Sequence, residues 1–181
     1  LGRSLPCNNG TKSRRGILCE KLVDNMIHYV FKKEIVFPSD GKLEQAVFGM
    51  GCFWGAEKKF WELEGVKLTA VGYAGGDSEN PSYGDVCTGL TGHNEVVKIL
   101  FDPMEVSYLS ILEIFWESHD PTQKDRQGND IGTQYRSGAY YFSDAQKLWL
   151  HETKAAYENS LRKAGFGAVV TEIKKAPEFF L

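Results

Sequence analysis

Ala46-Val47-Phe48-Gly49-Met50-Gly51-Cys52-Phe53-Trp54-Gly55-Ala56-Glu57-Lys58-Lys59-Phe60 is the stretch on which the reading of the fold turns. Ala46–Met50 is a short apolar run of strand length. Beyond Gly51 the period changes. Phe53, Ala56, Phe60 and Leu63 recur at helical spacing, and Glu57, Lys58, Lys59 and Glu62 fill the other faces. Gly65 suits a helix C-terminal cap, and Val66, Leu68 and Ala70 then alternate as a second strand. The stretch predicts a β-α-β unit with Cys52 at its first junction.

Reading outward, a strand is expected over Glu95–Phe101 and ends at Asp102-Pro103. Tyr108, Ile111, Leu112 and Phe115 mark one face of a second helix, with Ser107 as its N-cap. Tyr135–Phe142 reads as a strand. Ser143 and Gln146 form the capping box of a third helix, with Ala145, Leu148, Trp149 and Ala156 as its apolar stripe and Gly165 as its stop. Ala168–Ile173 makes a last strand. Two polar stretches remain as loops, Gly75–Gly92 and His119–Gln134. The second exceeds the ~12–15 residues at which structureless connections become uncommon, which marks it as functional or mobile. The pattern predicts an α+β fold, a two-layer α/β sandwich with a mixed β-sheet and a ferredoxin-like core. Residues 1–40 read as a partly irregular N-terminal arm in which Leu22–Phe37 lies against the body. The turn at Pro38-Ser39-Asp40-Gly41 opens a single catalytic domain over 41–181.

Composition excludes several classes. A formal net charge of -3 leaves no basic footprint for nucleic acid, and no stretch approaches the ~20 apolar residues of a membrane helix. Cys7, Cys19, Cys52 and Cys87 are too scattered for a disulfide scaffold and contain no CxxC pair, which points to a reducing compartment and no structural zinc. The cytoplasm is the expected location, with a mitochondrion or other organelle as the alternative. Residues 1–19 carry Arg3, Lys12, Arg14 and Arg15 and no acid; they read as a basic arm before they read as the remnant of a targeting segment.

The chemistry gathers around Cys52. A thiol at a helix N-terminus faces unsatisfied backbone N–H groups and the positive end of the helix dipole, and both favour the nucleophilic thiolate. Gly51 and Gly55 would let a substrate approach. The bland alternative is a buried free cysteine acting as a small hydrophobe. Phe53 and Trp54 are core residues or the walls of a cradle for an apolar group such as a methyl. Glu95 shares its strand face with Val97, Ile99 and Phe101. A carboxyl at the edge of that apolar face is desolvated, holds its proton, and can serve as a general acid; a strand-end carboxylate turned to water is the competing reading. Tyr73, Tyr83 and Tyr135 offer hydroxyls for a developing oxyanion, with Asp130 in the polar loop as a further group that would converge on them; tyrosines that bury a ring and wet the hydroxyl are the competing reading. His93 and His119 lack ligand spacing and read as loop structure.

Gly51-Cys52-Phe53-Trp54-Gly55-Ala56-Glu57 resembles the active-site signature of the peptide methionine sulfoxide reductase A family. Three further stretches agree in order: Pro81-Ser82-Tyr83, Gly92-His93-Asn94-Glu95-Val96-Val97, and Gln127-Gly128-Asn129-Asp130-Ile131-Gly132-Thr133-Gln134-Tyr135-Arg136-Ser137. The similarity spans roughly Ala46 to Pro177.

The resemblance implies that Cys52 is the nucleophile, Glu95 the general acid, Tyr83 and Tyr135 the hydroxyls that bind the sulfoxide oxygen, and Asp130 a nearby positioning carboxylate. Phe53 and Trp54 would enclose the substrate's terminal methyl. It further implies reduction of methionine S-sulfoxide, in proteins and as the free amino acid, through a Cys52 sulfenic acid. It implies no bound cofactor, an external thioredoxin or glutathione reductant, and a monomer. Relatives often carry resolving cysteines in a C-terminal tail, whereas this chain has no cysteine after Cys87. Cys7, Cys19 and Cys87 are the candidate resolving residues, with direct recycling by an external thiol and a removed tail as the alternatives. The competing functions are a thiol peroxidase or cysteine hydrolase and a non-catalytic redox-sensing module.

Overall fold

The computed structural model describes residues 26–38 and 41–181. Cys7, Cys19, most of the basic arm and the centre of the Pro38–Gly41 turn lie outside the described residues. Strand β1 (Glu44–Met50) leads into helix α1 (Phe53–Trp61), which returns as β2 (Val66–Ala74). Gly65 makes this return with φ +92°, a left-handed conformation that glycine adopts without strain. A short helix α2 (Tyr83–Cys87), strand β3 (Asn94–Phe101) and helix α3 (Tyr108–Glu117) follow. A small hairpin, β4 (Arg126–Gln127) with β5 (Asp130–Ile131), and a 3-10 turn over Thr133–Tyr135 precede β6 (Ser137–Tyr141). Helix α4 (Asp144–Lys163), β7 (Glu172–Lys175) and β8 (Phe179–Phe180) complete the order.

The six-stranded sheet runs β7-β6-β1-β3-β2-β8. Only β6 and β7 pair in parallel, so the sheet is mixed. Strands β1 and β2 are not neighbours, because β3 lies antiparallel between them. The central order β6-β1-β3-β2, threaded by α1 and α3, is the ferredoxin-like split β-α-β arrangement expected from the sequence. Phe48, Phe60, Val97, Ile99, Phe101, Ile111, Leu112 and Phe115 form the main core between sheet and helices. The Glu95 face of β3 is thus the face that the helices cover.

Several sequence expectations need correction. Residues 75–92 and 119–134 are not plain loops. The first holds α2, opened by a capping box between Ser82 and Asp85, and the second holds the β4–β5 hairpin. Tyr135 ends the 3-10 turn rather than beginning a strand. The last strands fall at Glu172–Lys175 and Phe179–Phe180, not Ala168–Ile173. Ser107 caps α3 as expected, accepting from the Ser110 N–H. Ser143 accepts the Gln146 N–H, but the Gln146 side chain takes the N–H of Phe142 and the carbonyl of Gln45 instead of closing the box. The expected α4 stripe is outward: Leu148 is 56% and Trp149 40% exposed. Gln146, Leu150, Tyr157 and Leu161 face the body instead, because a buried glutamine that satisfies two strand-edge groups sets the helix's rotation.

The described part of the arm does lie against the body. Ile27 bridges to Glu34, and the His28 ring between them accepts the N–H groups of Val30 and Phe31 at Nδ1. Its Nε2 therefore carries the proton and reaches Thr69 at 3.0 Å and Glu57 at 3.2 Å.

Candidate functional site

Cys52 is the N-cap residue of α1, exposed, with no capping hydrogen bond from its side chain. Gly51 before it has φ +87°, and a Cβ there would press on the side chain of Gln127 at 2.6 Å. Its bareness admits the β4–β5 hairpin rather than a substrate, which corrects the sequence reading. Gly55 faces open space. The thiol stands at the mouth of the helix, at the positive end of its dipole.

Glu95 is buried, 3% exposed. The Phe53 N–H donates to its Oε2 at 3.2 Å. Burial raises its pKa above the usual carboxylate range, the Phe53 N–H opposes that rise, and the charge of Asp130 adds to it. Tyr73 pairs directly with Glu95 across β2 and β3. Its hydroxyl is pushed up to about 12, first by burial and then by Glu95, Cys87, Tyr83 and Tyr135. The ring of Phe53 sits 5.7 Å from that of Tyr73, and Val86 closes this small cluster.

Tyr135 is raised by burial, then by Glu95, Asp130 and Cys87. Tyr83 opens α2, stands in solvent, and is raised first by its hydrogen bond with Cys87. These mutual influences place Glu95, Tyr73, Tyr83, Tyr135, Asp130 and Cys87 in one cluster beside the start of α1. The two aromatics after the thiol part company. Phe53 is 6% exposed, whereas Trp54 is 77% exposed with its ring 6.4 Å from that of Phe53. Phe53 packs with Tyr73 and Val86, and Trp54 stands in solvent.

His93 and His119 are engaged elsewhere. The His93 ring accepts the Gly76 N–H at 3.1 Å and donates to the Ser78 carbonyl at 2.8 Å, which ties the loop before α2. His119 donates from Nδ1 to the Phe115 carbonyl and meets Ser137 Oγ, each at 2.7 Å. Among the described residues no group of three or more His, Cys, Asp or Glu is placed to hold a metal ion, and no helix is long and apolar enough to cross a membrane.

Sequence reasoning undervalued Tyr73 and missed Gln127 and α2. The Ser82-x-x-Asp85 spacing is a helix-start signal that a composition-based reading of a polar stretch passes over. Nothing local marks Gln127, whose role depends on a hairpin folding back over Gly51.

The family model described as "Peptide methionine sulfoxide reductase" matches residues 44–181. Peptide methionine sulfoxide reductase MsrA 2 of Nostoc sp. is 56% identical over 153 residues, covering 84% of this chain and 69% of that protein. Methionine sulfoxide reductase A of Corynebacterium diphtheriae superposes with a TM-score of 0.78 at 40% identity, over 85% of this chain and 75% of that one. Reduced Mxr1 of Saccharomyces cerevisiae follows with a TM-score of 0.70 at 28% identity, over 81% and 83% of the two chains. Mxr1 in complex with Trx2 has a TM-score of 0.56 at 20% identity, over 81% and 85%, and shares the fold. By the span of the family match and the closeness of these relatives, the chain belongs to the peptide methionine sulfoxide reductase family.

Proposed function

We propose that the chain reduces methionine sulfoxide to methionine, with Cys52 as nucleophile and Glu95 as general acid. The observation that carries this reading is the Phe53 N–H bond to Glu95, which holds a desolvated acid beside the helix mouth where Cys52 is exposed. A sulfoxide sulfur is electrophilic, but its oxygen departs poorly unless protonated. Glu95, its pKa raised by burial, gives its proton to that oxygen. Tyr83 and Tyr135 donate hydrogen bonds to the oxygen as charge develops on it, and Tyr73 and Asp130 position the acid. Cys52 attacks sulfur, the protonated oxygen passes from that sulfur to Cys52 as the transient S–S bond breaks and its electron pair returns to the substrate sulfur, and methionine leaves with Cys52 as a sulfenic acid. Phe53 and Trp54 hold the methyl.

A second thiol condenses with the sulfenic acid, releasing water and forming a disulfide, which an external dithiol then reduces. The Mxr1–Trx2 complex supports a thioredoxin-type donor. Cys87 lies beside Tyr83 and is the described candidate for the second thiol. The substrate epimer is the S form, by family membership. His28, His93 and His119 bond to groups other than Cys52, so none of these three is paired with it as a hydrolase base.

Mass spectrometry after one turnover with excess N-acetylmethionine sulfoxide and no reductant tests the reading. Oxygen or a disulfide on Cys52, matched by released N-acetylmethionine, is the expected result. Oxidation of Cys52 by peroxide with no reduced product from the sulfoxide would replace this reading with a thiol peroxidase.

A further inference from the structure

We infer that Leu90 and Ile131 form an apolar rim that engages the residues flanking an oxidised methionine in an extended polypeptide, and that this rim favours apolar over acidic neighbours. The inference rests on the proposed reduction at Cys52. A side chain that enters the site from a polypeptide brings its neighbours onto whatever surrounds the mouth. Three segments do so here: the start of α1 with Trp54, α2 and the turn after it, and the β4–β5 hairpin with its following turn. The last two each present one large aliphatic side chain to water, Leu90 at 89% and Ile131 at 72% exposed.

Their placement follows from one residue between them. Gly89, which precedes Leu90, would bring a Cβ to 4.0 Å from the Gln134 side chain. Gly132, which follows Ile131, leaves no space for a Cβ against the same side chain. Gln134 is buried and adjoins Tyr135, so the two hydrophobic residues flank the segment that delivers the Tyr135 hydroxyl to the cluster. Each of the two segments also carries an exposed carboxylate, Asp85 on α2 and Asp130 on β5. A flanking leucine or phenylalanine loses water contact on such a surface, whereas a flanking aspartate meets like charge.

The test compares kcat/KM, with dithiothreitol as reductant, on short peptides whose methionine sulfoxide lies between two leucines, two glycines or two aspartates, and on N-acetylmethionine sulfoxide. The expected order is leucine, glycine, aspartate. Leu90→Ser with Ile131→Ser should lower the leucine-flanked peptide about five- to tenfold and leave N-acetylmethionine sulfoxide within about twofold, the scale of a few methylenes in a shared contact. Both positions are exposed, so an unchanged Tm is expected and is measured alongside. Met104→Ser is the control, since Met104 is 92% exposed beyond the far end of β3 from Glu95. Equal loss on all four substrates, no loss, or loss only when thioredoxin replaces dithiothreitol would each overturn the inference. In the last case the face serves the reductant. Wild-type protein that reduces none of the four substrates would instead remove the underlying reading.

Discussion

The backbone N–H of Phe53 donates to the carboxyl of Glu95 at 3.2 Å, which couples the first residue of α1 to the second residue of β3. The helix end that bears the thiol and the strand that bears the acid are thereby fixed to each other without any side chain of Cys52 taking part. Cys52 and Glu95 can then be altered separately, with different consequences for activity and for stability.

Cys52→Ser should abolish sulfoxide reduction and raise thermal stability. The Cys52 side chain makes no capping bond, and serine is among the preferred N-cap residues. A gain of about 0.5–1 kcal/mol is expected, read by calorimetry beside an activity assay. A variant that is inactive because it is unfolded would contradict this.

Glu95→Gln should slow turnover by about a hundredfold or more, the usual worth of a general acid. Burial raises the folded pKa of Glu95 above its unfolded value. The stability advantage of holding the proton is present at low pH and is lost as pH rises through the folded pKa. Glutamine cannot ionise and can still accept the Phe53 N–H. The variant should therefore match wild type in acid and become relatively more stable toward alkaline pH. Wild-type activity should fall on the same alkaline limb. Tm and rate measured across pH 5–9 check both slopes.

Trp54→Ala and Phe53→Ala should separate binding from folding. Trp54 is 77% exposed, so its removal should leave stability within about 0.5 kcal/mol and appear in kcat/KM for methyl sulfoxides. Phe53 packs on Tyr73 and Val86, so its truncation should cost about 3 kcal/mol or more. Denaturant midpoints for the two variants decide it.

His119 should govern acid stability. Burial pushes its pKa down to about 4, below the ordinary value near 6.5. The unfolded chain takes up a proton as pH falls from ~6.5 towards ~4 while the folded chain does not, so stability is lost across that window and no further below it. Replacing His119 with Gln should flatten that part of the profile. An unchanged slope between pH 6.5 and 4 would show that other groups dominate acid unfolding.

Cys52, Glu95 and their strand-to-helix setting were legible in the sequence because each depends on local period: an apolar run, a change to helical spacing, an alternating strand. The thin segments were harder. Helix α2 is a single capping box in a polar stretch, and Tyr135 occupies a 3-10 turn that strand-like composition conceals. The rotation of α4 was misread because Gln146 is buried for its hydrogen bonds while Leu148 and Trp149 are left to solvent, an inversion that hydrophobicity cannot signal. Gln127 over Gly51, and Tyr73 opposite Glu95, exist only once strands distant in sequence are aligned.

Strand β8 meets β2 only at Tyr73 and Ala74, and the Phe180 carbonyl lies so close to Gly72 that a methyl group there would leave no space for it. Phe179 and Phe180 act as a seal at the end of an open sheet margin. Gly72→Ala would dislodge them and uncover a row of unpaired amides, a template for strand addition by a second molecule. Solubility would then suffer before the interior lost any packing, and light scattering would register the defect earlier than circular dichroism.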